Sequence, residues 1–133
     1  MSSDATWTPV ELPRGAAPAA GAFSVAAHAA GLIFVSGQVP RDPKTGEWEK
    51  AGSFDEQARR VFGNLELAVR DAGARLADVV SVTIYLGDIE HWGRMNALFQ
   101  EFFQPPYPTR TIVGAQLEGF LVEASAVAVK PPA

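Results

Sequence analysis

Leu121-Val122-Glu123-Ala124-Ser125-Ala126-Val127-Ala128-Val129 decides how this chain must be built. Strict alternation predicts a β-strand over about 121–130, with Val122, Ala124, Ala126 and Ala128 on one side and Leu121, Val127 and Val129 on the other. Apart from Glu123 and Ser125 both faces are apolar, so each needs a cover. A charge avoids such a run, because an unpaired buried charge costs several kcal/mol or more. Glu123 therefore stands out, as does Arg110 in the preceding run Thr109-Arg-Thr-Ile-Val-Gly-Ala-Gln116. A guanidinium in a strand calls for an anion, either a protein carboxylate or that of a ligand gripped by its planar fork.

Working outward, Ser53-Phe-Asp-Glu56 has the form of a capping box. It opens a helix burying Phe54, Ala58, Val61, Phe62, Leu65, Ala68, Val69 and Ala72, and Gly73 marks its stop. A strand follows over Val79 to Leu86, with Val80, Val82, Ile84 and Leu86 on one face. Asp88 can cap a second helix that turns Ile89, Trp92, Met95, Phe99, Phe102 and Phe103 inward and ends at Pro105-Pro106. Upstream, short strands are expected at about 6–11, around Phe23 to Ala27 (broken at Gly31), and at Leu32 to Val35 before Ser36-Gly37. The loop from Pro40 to Gly46 is rich in turn residues. Glu118-Gly119 reads as the tip of a hairpin joining the last two strands.

The predicted order is β-β-β-α-β-α-β-β in one domain spanning 1–133, with 1–20 partly irregular. The fold class is α+β, a five- to six-stranded sheet with two helices on one face. No third helix is available for the other face, so a second copy of the chain is the expected cover.

In the hairpin register Gly114 faces Glu123 and Arg110 faces Val127. Arg110, Ile112, Gly114, Glu123 and Ser125 would then share one face, with Arg110 and Glu123 roughly 13 Å apart along the strands. That separation is awkward for an ion pair within one chain. It suits a site between copies, one supplying Arg110 and the next Glu123. Two readings of Arg110 stay open, a structural ion pair at an oligomer interface and a ligand anchor. Asn96, inside the stripe Trp92, Phe99 and Phe103, is either a core amide tying the helix to a loop or a group beside the site.

Composition narrows the function. The chain has 133 residues, 47% hydrophobic and 20% charged, with a formal net charge of -4. Its basic residues form no run, which argues against nucleic acid as a partner. There are no cysteines, so disulfides, thiolate metal sites and a Cys nucleophile are excluded. His28 and His91 fit no metal spacing, and neither a phosphate loop nor a Ser-His-Asp spacing is present. No apolar stretch approaches membrane length, and the N-terminus lacks a signal pattern. A cytoplasmic enzyme or binding protein is the default expectation.

Several segments together resemble the RidA/YjgF family of enamine/imine deaminases. Ser36-Gly37-Gln38-Val39-Pro40 followed by Asp42-Pro43-Lys44-Thr45-Gly46-Glu47 is similar to its N-terminal motif. Asn96-Ala97 through Glu101-Phe102-Phe103, then Tyr107-Pro108-Thr109-Arg110, is similar to its central motif, and Val122-Glu123 with Ala126-Val127-Ala128-Val129 to its C-terminal strand. The resemblance covers about residues 20–130. It implies a chorismate-mutase-like fold, a homotrimer with ligand clefts between subunits, no metal or organic cofactor, and hydrolysis of small 2-imino acids to 2-keto acids and ammonia. It makes Arg110 the carboxylate anchor and Glu123 the group that positions water, with Ser36, Gly37, Asn96 and Pro108 lining the cleft. Phe23 and Ile112 depart from it: many relatives have Gly-Pro-Tyr where this chain has Gly21-Ala22-Phe23, and cysteine in place of Ile112. Those departures keep two alternatives in view. One is a non-catalytic carboxylate-binding or protein-interaction trimer, and the other a pathway-specific deaminase or hydrolase with a larger substrate.

Overall fold

The box at Ser53 forms as its spacing predicts: Glu56 N donates to Ser53 Oγ at 3.2 Å and Ser53 N to Glu56 Oε1 at 3.3 Å. Helix α1 runs Phe54–Asp71 from that cap. It ends in a Schellman turn, with Gly73 N donating to Arg70 O and Ala74 N to Val69 O; Gly73 has φ 92°, a conformation that suits glycine. Every apolar residue expected on its inner stripe is buried.

The computed structural model describes residues 6–10 and 15–132. Around α1 it sets β1 (Trp7–Pro9), β2 (Ala26–Ala29), β3 (Leu32–Gln38), β4 (Val79–Leu86), α2 (Trp92–Phe99), β5 (Thr109–Gly114) and β6 (Val122–Val129). The element order is the predicted one. Glu11, at the end of the first expected strand, lies outside the described residues. The second strand starts later than expected and leaves Phe23 in an exposed loop. The two-residue turn from β2 to β3, Ala30-Gly31, has positive φ at both positions, as this hairpin type requires.

The sheet order is β1-β2-β3-β6-β4-β5. All neighbours are antiparallel except β4 and β5, which are parallel. This corrects the expected hairpin between the last two strands. β4 lies between them, pairing Ile84 with Ile112 on one side and with Ala124 on the other. The reason lies in the connection: β4, α2 and β5 form a strand–helix–strand unit, whose crossover suits a parallel pair. β5, with Thr109, Arg110 and Thr111, takes the edge, where polar side chains are tolerated.

Val82, Ile84 and Leu86 of β4 meet Ala126, Ala124 and Val122 of β6 on the face beneath the helices, and all six are buried. Val80 does not join them. Val79 pairs with Ala128 and Ser81 with Val127, leaving Val80 as the extra residue of a bulge, 44% exposed against 5% for Val79. The second helix is also shorter than its pattern suggested. Asp88 accepts from Glu90 N and caps a 3-10 turn over Ile89–His91, and α2 itself stops at Phe99. Ile89 and Trp92 are therefore exposed rather than inward, while Met95, Leu98, Phe99 and Phe103 are buried. On the outside, α1 is joined to α2 by the ion pair Arg94–Asp55 and to the turn after α2 by Arg59–Glu101.

On the far side of the sheet, Phe34 and Val129 remain 45% and 44% exposed. Among the described residues no helix covers that face.

Candidate functional site

β4 sets the geometry of both charged strand residues. Arg110 sits beside Val82, and Glu123 beside Tyr85. Val82 and Tyr85 are an odd number of positions apart, so their side chains leave opposite faces of the sheet. Arg110 therefore lies on the helix face with Ile112 and Gly114, and Glu123 on the open face with Ser125. This corrects the expectation that all five share a face, which followed from the hairpin register that β4 displaces.

Arg110 makes no ion pair among the described residues. Its guanidinium carbon instead lies 4.9 Å from the Phe99 ring centre and 5.4 Å from that of Trp92. Such stacking holds the planar fork in place without using up its donors. Beside it is a cavity of about 310 Å³ lined by Asn96, Phe99, Gln100, Tyr107, Pro108 and Arg110. Asn96 and Pro108 both line it. The Asn96 amide makes no hydrogen bond among the described residues, so it does not act as the tie to a loop. Ile112 packs against the core and does not line this cavity. Trp92, Tyr107 and Gln100 are additions. Trp92 was hidden because an aromatic at helical spacing reads as core.

Glu123 projects over Gly37. A methyl group at residue 37 would overlap Glu123 Oε2 and approach its Cδ to 2.9 Å, so only glycine leaves room for the carboxyl. The close approach arises at the irregularity between Val35 and Gln38, where β3 carries one more residue than β6. Burial pushes the Glu123 carboxyl above the usual carboxylate range. Phe23 and Gly37 join Glu123 around a cavity of about 290 Å³. Ser36 does not line it: its hydroxyl donates to Ser24 O at 2.6 Å, fastening the loop that carries Phe23.

Two buried amides on the inner side of α1 were missed. Asn64 Nδ2 donates to Val39 O at 2.9 Å and Arg41 O at 2.8 Å. Gln57 Nε2 donates to Lys50 O and Gly52 O, and Gln57 Oε1 accepts from Leu121 N at 2.8 Å. Both fasten the long loop between β3 and α1, and Gln57 also holds the approach to β6. Their signal was available as two amides seven residues apart beside the helix's apolar stripe. Among the described residues no three His, Asp or Glu side chains gather as a metal site. His91 stacks on Phe54 at 4.1 Å, and His28 sits on β2 near Lys130.

Two helices on a six-stranded mixed sheet are the architecture of a known class. Residues 14–130 match the family described as Endoribonuclease L-PSP, and the chain belongs to this RidA/YjgF family. It is 40% identical to a RutC family protein of Pyrococcus abyssi over 83% of this chain and 87% of that one. It is 36% identical to the 2-iminobutanoate/2-iminopropanoate deaminase of Rattus norvegicus over 87% of this chain and 86% of the relative. Among solved structures, yeast Mmf1 superposes with a TM-score of 0.85 at 30% identity, covering 95% of this chain and all of that one. Escherichia coli TdcF with bound serine gives 0.83 at 29% identity, over 93% and 99%.

Proposed function

We propose that this protein hydrolyses small 2-imino acids to 2-keto acids and ammonia, in clefts where Arg110 of one copy meets Glu123 of the next. The observation that carries this reading is the placement of the two charges. Each borders a cavity, neither has a charged partner among the described residues, and they leave opposite faces of the sheet, so one copy cannot close a site around both. The uncovered apolar face supports assembly with further copies, and a homotrimer is the form the family resemblance implies. Relatives bearing the deaminase name, from Rattus norvegicus and Mus musculus at 36% and 35% identity, support the chemistry. The family description mentions a ribonuclease, but a net charge of -4 favours a small substrate over RNA.

The reaction needs three things. The substrate carboxylate must be fixed, which two parallel N–H donors of Arg110 do. A water must be aimed at the C=N carbon, which the Glu123 carboxylate does by accepting its proton as the C–O bond forms. That proton passes to the imine nitrogen, giving a tetrahedral amino alcohol; Glu123 then takes the hydroxyl proton and delivers it to nitrogen as the C–N bond breaks, releasing ammonia and leaving the keto group. A carboxyl whose pKa lies above the ordinary range is well matched to take and return a proton. No step calls on a metal or organic cofactor.

The direct test is to supply freshly generated imino acid and measure keto acid and ammonia release above the spontaneous rate. A second reading, a carboxylate-binding oligomer without turnover, is favoured by Phe23, which brings no hydroxyl to the cavity beside Glu123. Accelerated release removes it; calorimetric binding of 2-ketobutyrate without acceleration upholds it.

Two substitutions probe the supports of the site. Trp92→Ala is expected to raise KM about three- to tenfold with kcat little changed, since an exposed cation–π contact is worth roughly 0.5–1 kcal/mol and more when desolvated. Trp92→Phe should recover most of the loss. Gly37→Ala is expected to cut kcat about 10²-fold, because displacing an aimed group by about 1 Å has that effect. Since the methyl meets a side chain rather than the core, the melting temperature should fall little; full activity in Gly37→Ala would show that Glu123 need not lie there.

A further inference from the structure

The cavity beside Glu123 is larger than a methyl- or ethyl-bearing imine requires. Its volume is about 290 Å³. Beyond Glu123 and Gly37 its lining turns apolar, through Phe23, Val39, Trp48 and Phe120. The Trp48 and Phe120 rings meet at 5.3 Å, tilted by 42°.

Two of the cavity's walls are fastened by hydrogen bonds. Asn64 fixes the carbonyls of Val39 and Arg41. Arg41 in turn donates from Nε to Gly46 O at 3.2 Å and from Nη1 to Pro18 O at 3.3 Å, clasping the loop that forms the opposite wall. Because two of its donor groups are committed to backbone carbonyls, Arg41 serves the wall more than an anion. The other charged group in the lining, Glu118, is exposed and disfavours an acidic occupant. A preformed, mainly apolar cavity joined to the carboxyl that aims water is the natural seat for the group attached to the imine carbon.

We infer that this cavity is the side-chain subsite, and that the preferred substrates are 2-imino acids with a large neutral side chain, aromatic or branched aliphatic, packed against Trp48 and Phe120. The inference rests on the deaminase reading for its chemistry and adds to it the substrate class. Hydrophobic subsites discriminate by about 1–3 kcal/mol per methylene, or roughly 10–200-fold. The kcat/KM for the imine of phenylalanine or leucine should therefore exceed that for the imine of alanine at least tenfold.

The test generates the three imines in place with an L-amino acid oxidase and measures their enzyme-dependent loss. Trp48→Ala, which removes an apolar wall, and Ala19→Phe, which puts a ring into the lining from an exposed loop, should each lower the phenylalanine-to-alanine ratio about tenfold. Equal or better turnover of the alanine imine, or a ratio unmoved in both variants, overturns the subsite and leaves the deaminase standing. If no imine is turned over, the deaminase reading fails, and calorimetry with phenylpyruvate and pyruvate decides the subsite. Tighter binding of phenylpyruvate that Trp48→Ala weakens supports it; equal affinities overturn it.

Discussion

Arg110→Ala is expected to lower kcat/KM for imino acid hydrolysis about 10²–10³-fold and leave the fold intact. Removing one partner of a desolvated charge pair costs about 2–5 kcal/mol, and each 1.36 kcal/mol is tenfold in rate. The fold should survive because Arg110 lies on an edge strand, half-buried and outside every ion pair among the described residues. Arg110→Lys should recover little, since an ammonium cannot offer two parallel donors. Steady-state kinetics with a thermal melt on the same sample checks both halves, and unchanged kcat/KM would remove the anchor. The opposed faces add a stricter expectation. Arg110→Ala and Glu123→Gln chains, each strongly impaired alone, should regain activity when unfolded and refolded together, because some clefts then receive an intact arginine from one chain and an intact glutamate from the other. A mixture as inactive as its components would refute a site shared between copies.

Glu123→Gln is expected to reduce kcat about 10²–10⁴-fold, the usual contribution of a positioned acid–base group. Its pH behaviour follows from burial, which raises the carboxyl above its ordinary value of 4.5. Only the ionised carboxylate can accept a proton from water, so activity should climb as pH rises through that elevated value, and the glutamine variant should lose this limb. Stability runs in the opposite direction. With the folded pKa above the unfolded one, the folded state holds the proton longer. The resulting stabilisation is fully present below the unfolded value and is lost as pH rises through the folded one. Glu123→Gln should therefore melt higher than the parent chain near neutral pH, and the difference should shrink on acidification. Parallel melting curves across that range would show that the carboxyl is not desolvated.

Much of the site was legible residue by residue. Arg110 and Glu123 are conspicuous because charge in an apolar strand is costly, and the motif residues Gly37 and Asn96 each border one of the two cavities. Other residues were obscured by ambiguity of type. Trp92 has the spacing of a core residue, yet it stacks on Arg110 from the surface. Ser36 offered a hydroxyl at a strand end, which the Ser24 carbonyl takes. Asn64 and Gln57 were passed over because amides beside a helix's apolar stripe draw attention only when the loop they hold is known.

The order and type of the secondary-structure elements were determined by the chain alone, because their causes are local. The period of α1, the box at Ser53 and Glu56, the stop at Gly73 and the alternation of β6 each depend on residues a few positions apart. Sheet order, the bulge at Val80 and the faces of Arg110 and Glu123 were decided by tertiary structure. Two strands close in sequence need not be neighbours in space, and inserting β4 between β5 and β6 resets the register that assigns each side chain its face. Period-two alternation establishes which residues point the same way within one strand. Only the hydrogen-bonded partner on the next strand establishes which way that is relative to the rest of the sheet.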